Sequence, residues 1–119
     1  MNTLRIIENK LIEIGMNPAL SGFYCSMHAI NYFFENNKEI YQVSFCKDIY
    51  PYVAKKLCCG KPCRAERNIR KSIEDLFNKN ASLIKYTDID SGKMTNSHFI
   101  SYMVLQIKKE IEENELQTK

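Results

Sequence analysis

Leu4, Ile7, Leu11 and Ile14 recur at three- and four-residue steps, the period of an amphipathic helix, and Gly15 followed by Pro18 supplies a C-cap glycine and then a breaker. A second helix is predicted from Ser21, with Phe23, Met27, Ile30 and Phe34 on one stripe and the polar residues 35–38 closing it. Residues 42–49 and 51–57 form a third helical region, which Pro51 either kinks or restarts because proline has no amide to donate. A short connector around Gly60 follows. Pro62 then opens a strong helix that runs to about Lys79. Residues 80–93 are the least regular stretch, with turn chemistry at Asp88, Asp90, Ser91 and Gly92. Thr95 or Asn96 caps a last helix with apolar positions Phe99, Met103, Val104, Ile107 and Ile111, and the tail 112–119 is expected to fray. With no internal repeat and little alternating pattern, the expectation is an all-α fold of about six helices in one domain spanning 1–119.

Composition narrows the function classes. The chain has 119 residues, 45% of them hydrophobic, which suits one domain with a core of its own. Apolar stretches such as 23–30 contain Ser or His and are far shorter than a bilayer span, so no membrane partner is expected. Arg5, Glu8, Lys10 and Glu13 interrupt the N-terminus, which therefore lacks a signal-peptide pattern and points to a cytoplasmic location. Five cysteines in a reducing compartment are expected as thiols.

The net charge of +3 hides a strong asymmetry. Residues 55–79 carry eight basic and three acidic side chains, whereas each flanking segment is net −1. A positive field concentrated in this way suits a polyanion, because each neutralised phosphate releases condensed counterions; a solvated helix face is the plainer reading of the same charges. On a helical wheel at about 100° per residue, Ala65, Ile69, Ile73 and Leu76 gather on one side and Arg64, Arg67, Arg70 and Lys71 towards the other. A short helix ending in Lys55 and Lys56, a glycine-bearing turn and then this helix make the outline of a helix-turn-helix reader. The major groove of double-stranded DNA admits one α-helix, and the planar fork of arginine can donate two hydrogen bonds to guanine.

The segments "IYPYVAKK", "CRAERNIRKSIE" and "MTNSHFI", together with "LIEIGMNPALSGFYCSMHAI" before them, resemble the C-terminal DNA-binding effector domain of the sporulation initiation response regulator, the stage 0 sporulation protein A family of endospore-forming bacteria. The likeness covers nearly the whole chain and is most specific at "RAERNIR". It implies a six-helix, winged-helix-like domain without a wing that binds short promoter boxes, often as tandem head-to-tail copies, and activates or represses transcription. Homodimers on tandem sites and contacts with the sigma subunit of RNA polymerase are implied as well, placed in residues 80–93 and the last helix. Matched position by position, the family's DNA contacts fall on Arg64, Glu66, Arg67 and Arg70, with Lys71 at a further polar or basic place. Arg64 and Arg67 then read bases, and Glu66 accepts from a cytosine amino group or orients an arginine. Arg70, Lys71, Lys55, Lys56 and Lys61 meet phosphates. The alternative for Glu66 is a simple i, i+4 ion pair with Arg70.

The chain also departs from the family. The phosphoacceptor receiver domain that normally precedes this module is not in the sequence. The turn "LCCGKP" is longer than the family's and has lost its hydroxyl residues, and His98 breaks the capping box expected after Thr95. These departures keep a second reading open, an effector-like module acting by protein–protein interaction as antagonist or partner of a full-length regulator. Zinc ligation by Cys58, Cys59 and Cys63 with Cys25, Cys46, His28 or His98 finds no paired C-x-x-C spacing. Cys58 or Cys63, beside Lys55, Lys56, Lys61 and Arg64, is instead a candidate redox-sensitive thiol. No phosphate loop, nucleophile elbow or His-x-x-x-His pair is present, so neither an enzyme nor a cofactor is expected.

Overall fold

The N-terminal periodicity becomes helix α1, Thr3–Ile14, in the computed structural model, which describes residues 2–57, 60–79 and 94–117. Gly15 ends α1 at φ 100°, and its amide and that of Met16 bond back to Ile12 and Leu11. That reciprocal pair is a Schellman cap, closed by burying Met16 in the same core as Leu11. After an Asn17 turn, in which Oδ1 accepts from the Ala19 amide at 2.9 Å, the chain enters α2, Ser21–Glu35.

Helix α2 is the centre of the molecule and packs against α1, α3, α4 and α5. A helix so enclosed needs more than one apolar stripe, and Phe23, Cys25, Ser26, Met27, Ala29, Ile30 and Phe33 are all buried. Phe33, rather than the expected Phe34, takes the fully buried place; Phe34 is only partly covered. Gly22 lies where α2 crosses α4. A Cβ there would stand 2.0 Å from the Asn68 carbonyl oxygen and 2.2 Å from Ser72 Oγ, so only glycine permits this approach.

The third helical region is a 3₁₀ turn, Ile40–Gln42, a π-helical turn, Phe45–Ile49, and then α3, Tyr50–Lys56. Pro51 explains the widening. Its ring crowds the carbonyl four residues back, and just before it the amides of Ile49 and Tyr50 reach five residues back, to Ser44 and Phe45. Ser44 caps the π turn, accepting from the Lys47 amide while its own amide donates to Asp48.

Helix α4, Pro62–Lys79, follows the turn, and α5, Asn96–Gln117, completes the fold. Thr95 Oγ1 accepts from the His98 amide at 3.2 Å, so the threonine half of the capping box survives the histidine. The helix continues to Gln117, into the tail expected to fray. Among the described residues there are thus five α-helices and two short helical turns, and no strand, close to the all-α fold of about six helices expected. Lys10 to Glu110 at 3.5 Å and Lys108 to Glu39 at 3.2 Å tie α5 to α1 and to the entry of the 3₁₀ turn. The irregular stretch 80–93, the connector cysteines Cys58 and Cys59, and the last two residues lie outside the described residues.

Candidate nucleic-acid interface

Gly60 and Pro62 set up helix α4. Gly60 adopts φ 90°, a left-handed conformation open to glycine, and turns the chain after α3. The Lys61 carbonyl then accepts from the Arg64 amide at 3.0 Å, and Pro62 occupies the first helical position, where its missing N–H costs nothing. Ala65, Ile69, Ser72, Ile73 and Leu76 bury one side of α4 against α2, α3 and α5. With that face fixed in the core, the position of Arg67 lies opposite it on the helix, with Arg64 and Lys71 next to it on one side, and all three are exposed.

The remaining expected contacts divide into two groups. Lys55 at the end of α3 and Lys61 at the start of α4 are exposed, and neither they nor Arg64, Arg67 and Lys71 form an ion pair among the described residues. Three other side chains are engaged. Arg70 Nη1 lies 3.7 Å from Glu66 Oε1, the i, i+4 pair that the sequence allows, and Glu66 is half-buried at the edge of α4 beside Ile73. Lys56 Nζ stands 4.0 Å from Glu35 and 5.4 Å from the centre of the Tyr52 ring, so its charge is partly answered from within the protein.

Lys56 also belongs to a small polar cluster behind the turn. The Tyr52 hydroxyl donates to Glu35, and burial together with that carboxylate pushes the phenol pKa up. His28 on α2 is held below its ordinary pKa of 6.5, first by burial and then by the Lys56 ammonium, with Glu35 opposing. Its Nδ1 has no hydrogen-bond partner among the described residues.

Asn96 is the residue that periodicity alone does not reveal. The sequence offers Thr95 or Asn96 as the cap; Asn96 is buried, and its side-chain amide donates to the Glu66 carbonyl at 2.9 Å and to the Tyr50 hydroxyl at 3.3 Å. Thr95 does the capping, which leaves Asn96 free to join α5, α3 and α4. A polar residue at the first position of a helix is a capping signal by itself, and nothing local marks it as a clamp on residues 30 and 46 positions away.

Cys63 is exposed in the first turn of α4, Cys46 is exposed in the π turn and Cys25 is buried. Among the described residues no three His, Cys, Asp or Glu side chains come together in a way that could hold a metal.

Residues 7–107 match the family model described as Sporulation initiation factor Spo0A C terminal. The chain belongs to this family. The match runs from the buried Ile7 of α1 to the buried Ile107 of α5, so it takes in the turn and every cationic residue of α4. No curated protein matches the chain. A Spo0A C-terminal domain is a DNA-binding effector domain of a sporulation regulator, and its place in transcription regulation agrees with the all-α architecture. Among the described residues no helix is long and apolar enough to cross a membrane.

Proposed function

We propose that the protein is a sequence-specific transcription regulator that reads promoter boxes by laying α4 in the major groove of double-stranded DNA. The observation that carries this reading is the trio Arg64, Arg67 and Lys71, exposed side by side on the outward face of a helix whose opposite face is locked in the core. Arg64 and Arg67 act as base readers, since among the described residues neither guanidinium has an ion-pair partner to leave. Lys55, Lys61 and Lys71 grip phosphates, and Arg70 and Lys56 join them by exchanging their carboxylate partners for the DNA backbone. Glu66, beside Arg70, orients that arginine or accepts from a cytosine amino group. In keeping with the family, tandem boxes hold two copies head to tail, and contact with the sigma subunit of RNA polymerase turns binding into regulation.

Titration of the purified protein against a duplex carrying tandem family boxes and a scrambled duplex of the same length tests the reading. Wild type is expected to prefer the box duplex. Arg67→Ala should lose about 1–3 kcal/mol of box binding and little of the scrambled binding. Equal affinity of wild type for the two duplexes would remove the claim of base reading.

A further inference from the structure

The basic face of α4 is useful only if the helix is held at a fixed rotation and tilt relative to α3, since both helices must meet the same duplex. The buried face of α4 fixes which side meets the core, and because apolar packing is non-directional the last fraction of an ångström of rotation and tilt is open to a further restraint. A directional bond to the helix backbone near the reading residues supplies that restraint.

Asn96 makes such a bond. Its amide reaches the backbone carbonyl of Glu66, the residue between Ala65 in the core and Arg67 on the outward face. A carbonyl oxygen can only accept, so the nitrogen side of the Asn96 amide must face it, and the second lone pair of that carbonyl remains for the helix's own bonding. The same nitrogen donates to Tyr50 Oη, on the first residue of α3. One buried side chain at the start of α5 therefore measures the separation of the two helices of the helix-turn-helix.

We infer that Asn96 is a positioning residue for sequence discrimination: through the Glu66 carbonyl and the Tyr50 hydroxyl it fixes the presentation of Arg64, Arg67 and Arg70 to the groove without touching DNA. This rests on the reading of α4 as the DNA-reading helix. Phosphate contacts tolerate a small shift of α4, because lysine stems are long and the phosphate field is smooth; base-edge contacts do not. Loss of Asn96 should therefore lower discrimination and leave non-specific binding in place.

The test compares wild type, Asn96→Ala and Asn96→Ser on the box and scrambled duplexes, well below the melting temperature of each variant. Serine suits the start of a helix, and its hydroxyl stops one bond short of the Glu66 carbonyl. Both variants should lose about tenfold or more in the ratio of box to scrambled affinity, with scrambled affinity and salt slope nearly unchanged. Tyr50→Phe, which keeps the bond to Glu66 but cuts the tie to α3, should lose part of the ratio, less than the Asn96 variants do; a loss larger than theirs would overturn the inference. An unchanged ratio in the Asn96 variants, or an equal fall on both duplexes, would overturn the inference while leaving the reading of α4 intact. Failure of both variants to fold would overturn it in favour of a purely structural role. Absence of discrimination in wild type would overturn the reading itself.

Discussion

At the scale of single residues, the exposed cations of α4 follow from the wheel, but what they touch does not. Among the described residues Arg64 and Arg67 form no ion pair, while Arg70 is met by Glu66 and Lys56 by Glu35 and Tyr52. The first pair is four residues apart and legible in the sequence; the second joins residues 21 positions apart and has no local signal. His28 shows how such a distant neighbour acts. Burial and the Lys56 charge both disfavour its protonated form, so its pKa in the folded protein lies below 6.5. Below pH 6.5 the unfolded chain takes up a proton that the folded chain resists, so stability is fully present above that pH and declines as pH falls towards the depressed value. Wild type should therefore lose more melting temperature than His28→Gln between about pH 7.5 and about pH 5.5. Parallel losses in thermal melts of the two proteins would show that His28 does not carry this dependence.

At the scale of elements, α4 forms as the periodicity predicts because its burial is one-sided, with a single core face and a single wet face. Helix α2 differs. Its stripe of Phe23, Met27 and Ile30 is legible, but its four helical neighbours also bury Cys25, Ser26, Ala29 and Phe33, residues that lie off that stripe. Small residues at Gly22 and Ser72 let α2 and α4 approach, and this crossing holds the back of α4. Gly22→Ala places a methyl against the α4 backbone, which cannot swing aside as a side-chain tip would, and should cost about 1–3 kcal/mol, the usual penalty for overpacking. Urea denaturation should then show a lower midpoint with an unchanged slope. An unchanged midpoint would mean that the two helices do not cross so closely.

At the scale of the whole molecule, the eight basic residues of segment 55–79 set the electrostatic behaviour, and all eight are exposed, from the end of α3 through the turn to α4. Salt should weaken binding steeply, with a slope of log affinity against log salt of roughly −0.9 for each phosphate neutralised. Lys61→Ala should reduce the magnitude of that slope by about 1. Lys56→Ala should reduce it by less, because Glu35 already answers part of the charge. Equal reductions for the two variants in titrations at several salt concentrations would show that the Glu35 contact yields completely to DNA.

The sequence by itself determined the helical class, the ends of α1 and α4, the glycine turn, the amphipathic character of α4 and the location of its charge. Each of these depends on residues within a turn or two of one another, where capping, proline geometry and the 3.6-residue period act. Only the tertiary structure decided that α2 is enclosed on several sides, that Lys56 is partly neutralised, and that Asn96 spans α5, α3 and α4. Those features join residues far apart in the chain. Their partners are set by how whole helices cross, which no local period encodes.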